Sequence, residues 1–205
     1  MSTTYYAGLD LGQQGDYTAL SILERTRNGG RETDRYDVRH LERFELGTTY
    51  HEVAKRTAEV VRSSRIPQKP ELVVDATGVG RPVVEILEAE GLHPVSVTIT
   101  GGDSVTRGDG TKEWRVPKRD LATTLQVLLQ GGRLRIAKGL PMAEVLRAEM
   151  QAFKIKVNLQ TGHDSYEHWR DGDHDDLVLS VAMAAWAAEQ RVMAHTVKAD
   201  YTSIV

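Results

Sequence analysis

The sequence contains no cysteine, no apolar run long enough to span a membrane and no marked excess of either charge. Without cysteine the chain forms neither disulfides nor thiolate metal sites, and a reducing, cytoplasmic compartment without a membrane partner is predicted. The first residues, Met1 to Thr4, lack the pattern of a signal peptide. The net charge of −3 argues against a strongly basic nucleic-acid binder, although bound metal ions would add positive charge locally.

What the sequence does contain is enough apolar material for one α/β domain. Of its 205 residues, 40% are hydrophobic, which suffices for a substantial core. No internal repeat or linker divides the chain. We therefore predict a single domain over residues 1–191 and a C-terminal tail over residues 192–205.

The N-terminal part predicts antiparallel strands joined by hairpins. Residues 5–11 alternate between two faces, residues 18–23 return after a turn, and Asn28-Gly29-Gly30 is a hairpin signal before residues 36–44. Arginines recur through these strands, interleaved with acidic residues, which favours a solvated, charge-balanced hairpin over a DNA track. The arginines are Arg25, Arg27, Arg31, Arg35, Arg39 and Arg43.

The rest of the chain alternates helical patterns with short apolar runs. Helices are predicted over residues 50–64, 81–90, 118–130, 141–151 and 175–191. Strands are predicted over residues 71–75, 95–99, 134–137 and 153–157, and residues 101–111 predict a mobile glycine-rich loop. Hairpin strands followed by strands that alternate with helices predict a mixed sheet flanked by helices.

Carboxylates stand at the ends of two apolar runs and at the start of the last helix. Asp10 ends the first run, Asp75 ends the run from Glu71, and Asp175 and Asp176 precede an apolar helix. If the two runs are parallel neighbours, Asp10 and Asp75 meet at the sheet edge where ligands bind. Clustered carboxylates repel one another unless a cation lies between them, so a site for two Mg²⁺ or Mn²⁺ ions is predicted.

Each acidic group has a simpler interpretation when taken alone. An aspartate at a strand end is commonly a turn residue, and Asp175 and Asp176 would offset the dipole of the helix they begin. A calcium loop starting at Asp171 fails, because its sixth position is Asp176 and its twelfth is Ala182. The order of the three groups is more specific than any one of them.

Four motifs, in this order, resemble the nuclease domain of the large terminase subunit of tailed phages. They are Gly8-Leu9-Asp10 with Gly15-Asp16-Tyr17-Thr18-Ala19, Val74-Asp75-Ala76-Thr77-Gly78-Val79-Gly80, Val116-Pro117-Lys118-Arg119-Asp120-Leu121 and His174-Asp175-Asp176-Leu177. The resemblance extends from about residue 5 to residue 188. It implies an RNase H-like fold, related to that of the Holliday-junction resolvases.

The resemblance also implies a function. Asp10, Asp75, Asp175 and Asp176 are expected to ligate two Mg²⁺ or Mn²⁺ ions and to cut double-stranded DNA during phage genome packaging. The expected partners are a packaging ATPase domain or chain, the small terminase and the portal, in the host-cell cytoplasm if the chain is phage-encoded. The chain has no G-x-x-x-x-G-K-[ST] phosphate loop, so we expect it to cut DNA but not to translocate it.

Several basic residues are weaker candidates for contacts with DNA. Lys118 and Arg119 begin a helix, where the helix dipole disfavours positive charge. A nearby DNA phosphate would offset that cost and would account for their position. Lys154 and Lys156 share one face of the strand predicted at residues 153–157. His174 adjoins the acidic pair and is expected to orient a ligand or a water molecule.

Two other functions fit parts of the sequence. Leu9-Asp10-Leu11-Gly12 followed by Thr18 resembles the first phosphate loop of actin-like ATPases and sugar kinases. Those proteins need two such domains and no acidic pair on the last helix, and nucleotide binding would identify them. A non-catalytic docking module of a packaging motor would require the acidic groups to be incidental.

Overall fold

The structure is a computed structural model that describes residues 2–13, 15–78, 80–159 and 174–201, with side chains described except at 31, 80, 154–159 and 191–201. In this part of the chain, eight strands form one sheet. The strands are β1 (Ser2–Asp10), β2 (Ala19–Arg27), β3 (Arg35–Arg43), β4 (Glu71–Asp75), β5 (Val95–Thr100), β6 (Thr106–Arg107), β7 (Glu113–Pro117) and β8 (Leu134–Ile136). Their order across the sheet is β6-β7-β5-β4-β1-β2-β3-β8.

Both strand directions occur in this sheet. β1, β2 and β3 pair antiparallel in chain order, as their turn signals predict. β4 pairs parallel with β1, and β5 and β7 continue outward in parallel. The predicted mixed sheet of hairpin and parallel strands is confirmed.

Five helices cover the two faces of the sheet in the described ranges. They are α1 (Tyr50–Val61), α2 (Gly80–Ala89), α3 (Lys118–Gln130), α4 (Ala143–Leu159) and α5 (Asp176–Tyr201). α1 starts at a capping box, in which Thr49 and Glu52 satisfy each other's backbone N–H groups. The apolar stripes of α1 and α2 cover one face, and α3, α4 and α5 cover the other.

The last helix lies in the centre of the domain. Every residue from Asp176 to Glu189 is buried, so this part of α5 is enclosed around its whole circumference. The helix approaches β1 closely at Gly8, where a Cβ would lie 1.8 Å from the carbonyl oxygen of Ser180. The alanine-rich sequence of α5 and the glycine of β1 therefore bring the helix backbone against the middle of the sheet.

A buried ion pair corrects the prediction that the arginines of the hairpin are solvated. Arg25 is 3% exposed and donates from Nε and Nη2 to Oδ2 of Asp34, at 3.1 and 2.6 Å. Its Nη1 donates to the carbonyl oxygen of Ala188 in α5 at 3.2 Å. The packing of α5 over Arg25 excludes water from it. Arg39, on the neighbouring strand, remains half exposed and pairs with Glu24.

Three predicted elements differ in the structure. Residues 153–157 were predicted as a strand but continue α4, because five alternating residues do not distinguish the two periods. The predicted loop at 101–111 contains β6, which pairs with the unpredicted strand β7. α5 continues to Tyr201, so the division between domain and tail at residue 191 stays a prediction. None of the helices that the structure describes is long and apolar enough to cross a membrane.

Candidate active site

The two strand-terminal aspartates lie next to each other. β1 and β4 are parallel and pair in register up to Leu9 and Val74, so the next residues are Asp10 and Asp75. Both side chains project to the face covered by α5, since Asp10 lies on the same face of its strand as Tyr6, and Asp75 on the same face as Val73, two residues of that core. The sheet edge at which they end is where ligand sites form in parallel sheets.

The start of α5 brings two further carboxylates to the same place. α5 packs across β1 and β4 and begins at Asp176, directly after Asp175. Asp176 is 5% exposed, whereas Asp175 is only partly buried. The four aspartates predicted from the sequence therefore belong to one acidic group.

Mutual repulsion is strongest at Asp10. Burial raises the pKa of Asp10 well above its ordinary value, and the charges of Asp75, Asp175 and Asp176 raise it further. In the described part of the chain, its carboxylate accepts no hydrogen bond. A buried carboxylate surrounded by three others needs hydrogen bonds or a neighbouring cation to stabilise its charged form.

Asp75 is held in place by the turn that follows it. Burial raises the pKa of Asp75, and its Oδ1 accepts a hydrogen bond from the N–H of Thr77 at 2.8 Å, which opposes that rise. The Oγ1 of Thr77 in turn accepts from the N–H of Ile99 on β5 at 2.8 Å. The Thr77-Gly78 segment thus forms a strand-to-helix turn that orients Asp75.

Lys118 lies inside the acidic group, whereas Arg119 lies outside it. Nζ of Lys118 donates to Oδ2 of Asp175 at 3.0 Å, and its charge lowers the pKa of Asp10 and Asp75. Arg119 instead forms an ion pair of 2.5 Å with Asp103 in the loop after β5. Contact of either residue with DNA stays a prediction.

Two charged residues of this site have no motif in the sequence. Arg43, at the end of β3, forms an ion pair with Glu149 of α4 and lies 3.2 Å from Oδ2 of Asp176. Ala19 pairs with Asp10 on one side and with Arg43 on the other, so these three residues form one row across the sheet. A register shift at Ile22 in the hairpin prevents that row from being read off the sequence.

Glu149 is a buried carboxylate with two partners. Its Oε2 accepts a hydrogen bond from the N–H of Val178, in the first turn of α5, at 2.9 Å. Burial raises the pKa of Glu149 to about 7, although the hydrogen bond from Val178 and the charge of Arg43 oppose the rise. Burial is also the main cause that raises the pKa of Asp176, and Arg43 opposes it there as well.

The other predicted residues lie at or beyond the margin of this group. His174 is exposed, and its ring meets the ring of Tyr17 edge-on at 4.8 Å. Lys154 and Lys156 belong to α4, not to a strand, and their side chains lie outside the described part of the chain. The predicted roles of these three residues stay predictions.

The acidic group has the ligand atoms that a hard divalent cation prefers, but its side chains do not converge on one point. Its donors are carboxylate oxygens, the ligands that Mg²⁺ and Mn²⁺ prefer. Oδ2 of Asp176 is buried and, among the described residues, accepts no hydrogen bond. No three Asp, Glu or His side chains of the described ranges converge closely enough to hold an ion. Ligation would therefore require these side chains to rotate toward a common point.

Comparison with known families decides the relationship. Residues 7–188 match the family described as the Terminase RNaseH-like domain. The chain belongs to this family. The match includes all four aspartates, and it confirms both the resemblance seen in the motifs and the RNase H-like fold expected from it.

Solved structures of terminases share the fold of this terminase domain. The large terminase nuclease from thermophilic phage G20c is 21% identical, with a TM-score of 0.55 over 89% of this chain and 81% of that one. The Mn-soaked human cytomegalovirus terminase nuclease domain is 15% identical, with a TM-score of 0.53 and the same coverage. The large terminase of bacteriophage HK97 is 18% identical, with a TM-score of 0.52 over 91% of this chain but 40% of its own. No curated protein matches the sequence significantly.

Proposed function

We propose that this terminase domain is a metal-dependent endonuclease that cuts double-stranded DNA during phage genome packaging. The observation that carries the proposal is the meeting of Asp10, Asp75, Asp175 and Asp176 at one sheet edge. Structural roles alone do not explain why a fold gathers four carboxylates whose charges repel. The G20c and cytomegalovirus relatives are nuclease domains, and the second was soaked with Mn, which supports the same chemistry here.

The aspartates differ in which of their oxygens already accept a hydrogen bond from the protein. Asp10 is buried on the central strand and accepts no hydrogen bond from a described residue, so its lone pairs are available to an ion. Asp75 has one oxygen engaged by Thr77, and Asp175 has one engaged by Lys118. Each of these two carboxylates thus keeps a second oxygen for an ion.

A pair of Mg²⁺ or Mn²⁺ ions bound there would supply a hydroxide nucleophile and would stabilise the leaving oxygen of the cut phosphodiester. The chain itself would orient the reacting groups. Lys118 places a positive charge beside Asp175 within the group, where a DNA phosphate would approach. Since the protein carries a net charge of −3, we expect weak DNA binding away from the site.

The packaging context follows from the family. We infer that the domain acts beside a packaging ATPase domain or chain, with the small terminase and the portal as further partners. The chain spans 40% of the HK97 large terminase, so the activities of that whole protein are not assigned to this sequence.

The test compares plasmid nicking by the parent and by Asp75→Asn in Mn²⁺. Asparagine keeps the shape of Asp75 and an acceptor for the N–H of Thr77, but it removes the negative charge. We expect activity to fall by orders of magnitude while the melting temperature without metal is kept or raised. Asp109→Asn, in the exposed turn between β6 and β7, is the matched control and should cut like the parent. An Asp75→Asn protein that melts early yet still cuts would refute the assignment.

A further inference from the structure

Glu149 fixes the start of α5 from outside the helix. It is 6% exposed and divides its carboxylate oxygens between two partners. Oε2 accepts the N–H of Val178, and Oε1 accepts a hydrogen bond from Nη2 of Arg43. The N–H groups of a first helical turn have no partner within the helix, so this bond satisfies one of them. The position of the helix start therefore depends on Glu149.

Arg43 connects that carboxylate to Asp176. The nitrogen that donates to Glu149 also lies 3.2 Å from Oδ2 of Asp176. The ring of Tyr17 lies 4.8 Å from the guanidinium carbon on another side, and the side chain is only 14% exposed. Oδ2 of Asp176 accepts no hydrogen bond in the described part of the chain, and the ion pair with Arg43 is the charged contact of this oxygen.

We propose that Arg43 and Glu149 are positioning residues, which keep the start of α5 and the carboxylate of Asp176 within the acidic group, where a divalent cation would bind. This inference rests on the proposed function and assigns a role to two residues outside the four aspartates. At pH 8.5, where Glu149 with its pKa of about 7 is ionised, the two side chains carry opposite charges that offset each other, so the pair acts on a bound cation through geometry. Removing the partner that orients a metal-ligating carboxylate typically weakens metal binding by about 10- to 100-fold.

Single variants of the pair separate geometry from charge. Arg43→Gln makes the site more negative, and Glu149→Gln makes it less negative. If the pair acted through charge alone, Mn²⁺ would bind the first variant more tightly and the second more weakly than the parent. If the pair positions Asp176, both variants bind Mn²⁺ more weakly, by roughly 10- to 100-fold. The two explanations therefore predict opposite signs for Arg43→Gln.

The full chain is titrated at pH 8.5 with Mn²⁺ alone, without DNA, and the heat of binding is measured by calorimetry. Arg43→Lys keeps the charge and a donor, so it should recover part of the affinity lost in Arg43→Gln. Arg39→Gln is the control, because it changes a half-exposed arginine of the same strand that pairs with Glu24. This variant should bind Mn²⁺ like the parent. Glu149→Gln keeps an acceptor for the N–H of Val178, and melting in EDTA checks that it is folded.

The outcomes distinguish this inference from the proposed function. Weaker Mn²⁺ binding in both Arg43→Gln and Glu149→Gln supports the positioning role. Shifts of opposite sign, or affinities equal to that of the parent, overturn it and leave the nuclease assignment standing. A parent protein that takes up no Mn²⁺ overturns the proposed function and the positioning role with it.

Discussion

Gly8 lies against the backbone of Ser180, with no room for a side chain between β1 and α5. A Cβ at Gly8 would lie 1.8 Å from the Ser180 carbonyl oxygen and 2.7 Å from its carbonyl carbon. Both are backbone atoms of a fully buried helix, so neither moves aside without shifting the helix. This contact sets the height of α5 above the sheet, and with it the position of Asp176 above Asp10.

Gly8→Ala should therefore destabilise the protein strongly. Overpacking a tight core typically costs 1–3 kcal/mol, and the backbone contact at Gly8 places this variant at about 3 kcal/mol or more. Urea unfolding followed by circular dichroism measures the change. Gly102→Ala is the control, because the nearest atom to its added Cβ would be 3.6 Å away, and it should unfold like the parent. A Gly8→Ala protein of parental stability would mean that α5 lies farther from the sheet.

The buried pair of Arg25 and Asp34 should matter much more to stability than an exposed pair. Asp34→Asn leaves the Arg25 guanidinium, 3% exposed, without its countercharge. Breaking a buried pair typically costs about 3–5 kcal/mol, whereas an exposed pair contributes about 1 kcal/mol or less. Glu144→Gln, which removes the partner of Arg147 in a pair whose two side chains are both more than half exposed, is the exposed case. Equal losses in urea unfolding for the two variants would contradict the burial of Arg25.

Much of this fold is predictable because its signals are local. The hairpin turns, the apolar run ending at Asp75 and the helix beginning at Lys118 each depend on a few neighbouring residues. The continuation of α4 through Phe153 was missed, since an apolar-basic alternation of five residues fits a strand as well as a helix. β7 was missed because its sequence, Glu113 to Pro117, is charged and short, and it pairs at the margin of the sheet.

The acidic residues of the site were predictable, but the basic ones beside them were not. Asp10 and Asp75 end recognisable strands, so their meeting follows once the two strands are taken as parallel neighbours. The place of Arg43 depends on the register of β2 with β3, which shifts at Ile22. Glu149 reaches the site only because α4 packs against α5, and no residue spacing in the sequence encodes that packing.

Stability at low pH should depend on Glu42. Its hydrogen bond with His40, aided by those from Arg56, lowers the pKa of Glu42 to about 2. The charged form is thus favoured in the folded state, so its contribution is present above the ordinary pKa of a glutamate and is lost as the pH falls toward 2. Because Arg56 is half exposed, we expect Glu42→Gln to cost about 1 kcal/mol at pH 6.

The measurement is urea unfolding of the parent and Glu42→Gln from pH 6 to pH 2. The difference between the two proteins should shrink steadily over this range as Glu42 takes up a proton. Glu85→Gln removes an exposed partner of Arg81 and should show no such trend. A difference that grows toward low pH would mean that the folded state favours the protonated form of Glu42.

Asp10→Asn should reverse its effect on stability when Mn²⁺ is added. Because burial and three neighbouring carboxylates raise the pKa of Asp10, the metal-free fold holds an ionised Asp10 poorly at pH 7.5. We expect the variant to be more stable than the parent in EDTA. That advantage should vanish as the pH falls below the ordinary pKa of an aspartate, where the parent carries the proton in both states.

In Mn²⁺ the order should be the opposite. A ligand that binds only the folded state adds about 2.7 kcal/mol to the free energy of unfolding at a concentration 100 times its Kd. Of the parent and Asp10→Asn, only the parent would keep the complete Mn²⁺ site and gain this stability. Melting temperatures of the parent, Asp10→Asn and Asp109→Asn, each with EDTA and with Mn²⁺, measure both effects. Asp109→Asn should follow the parent in both conditions. If Asp10→Asn melts below the parent in EDTA, the charge of Asp10 stabilises the metal-free fold. Repulsion between Asp10 and its neighbouring carboxylates would then not be what a bound cation relieves.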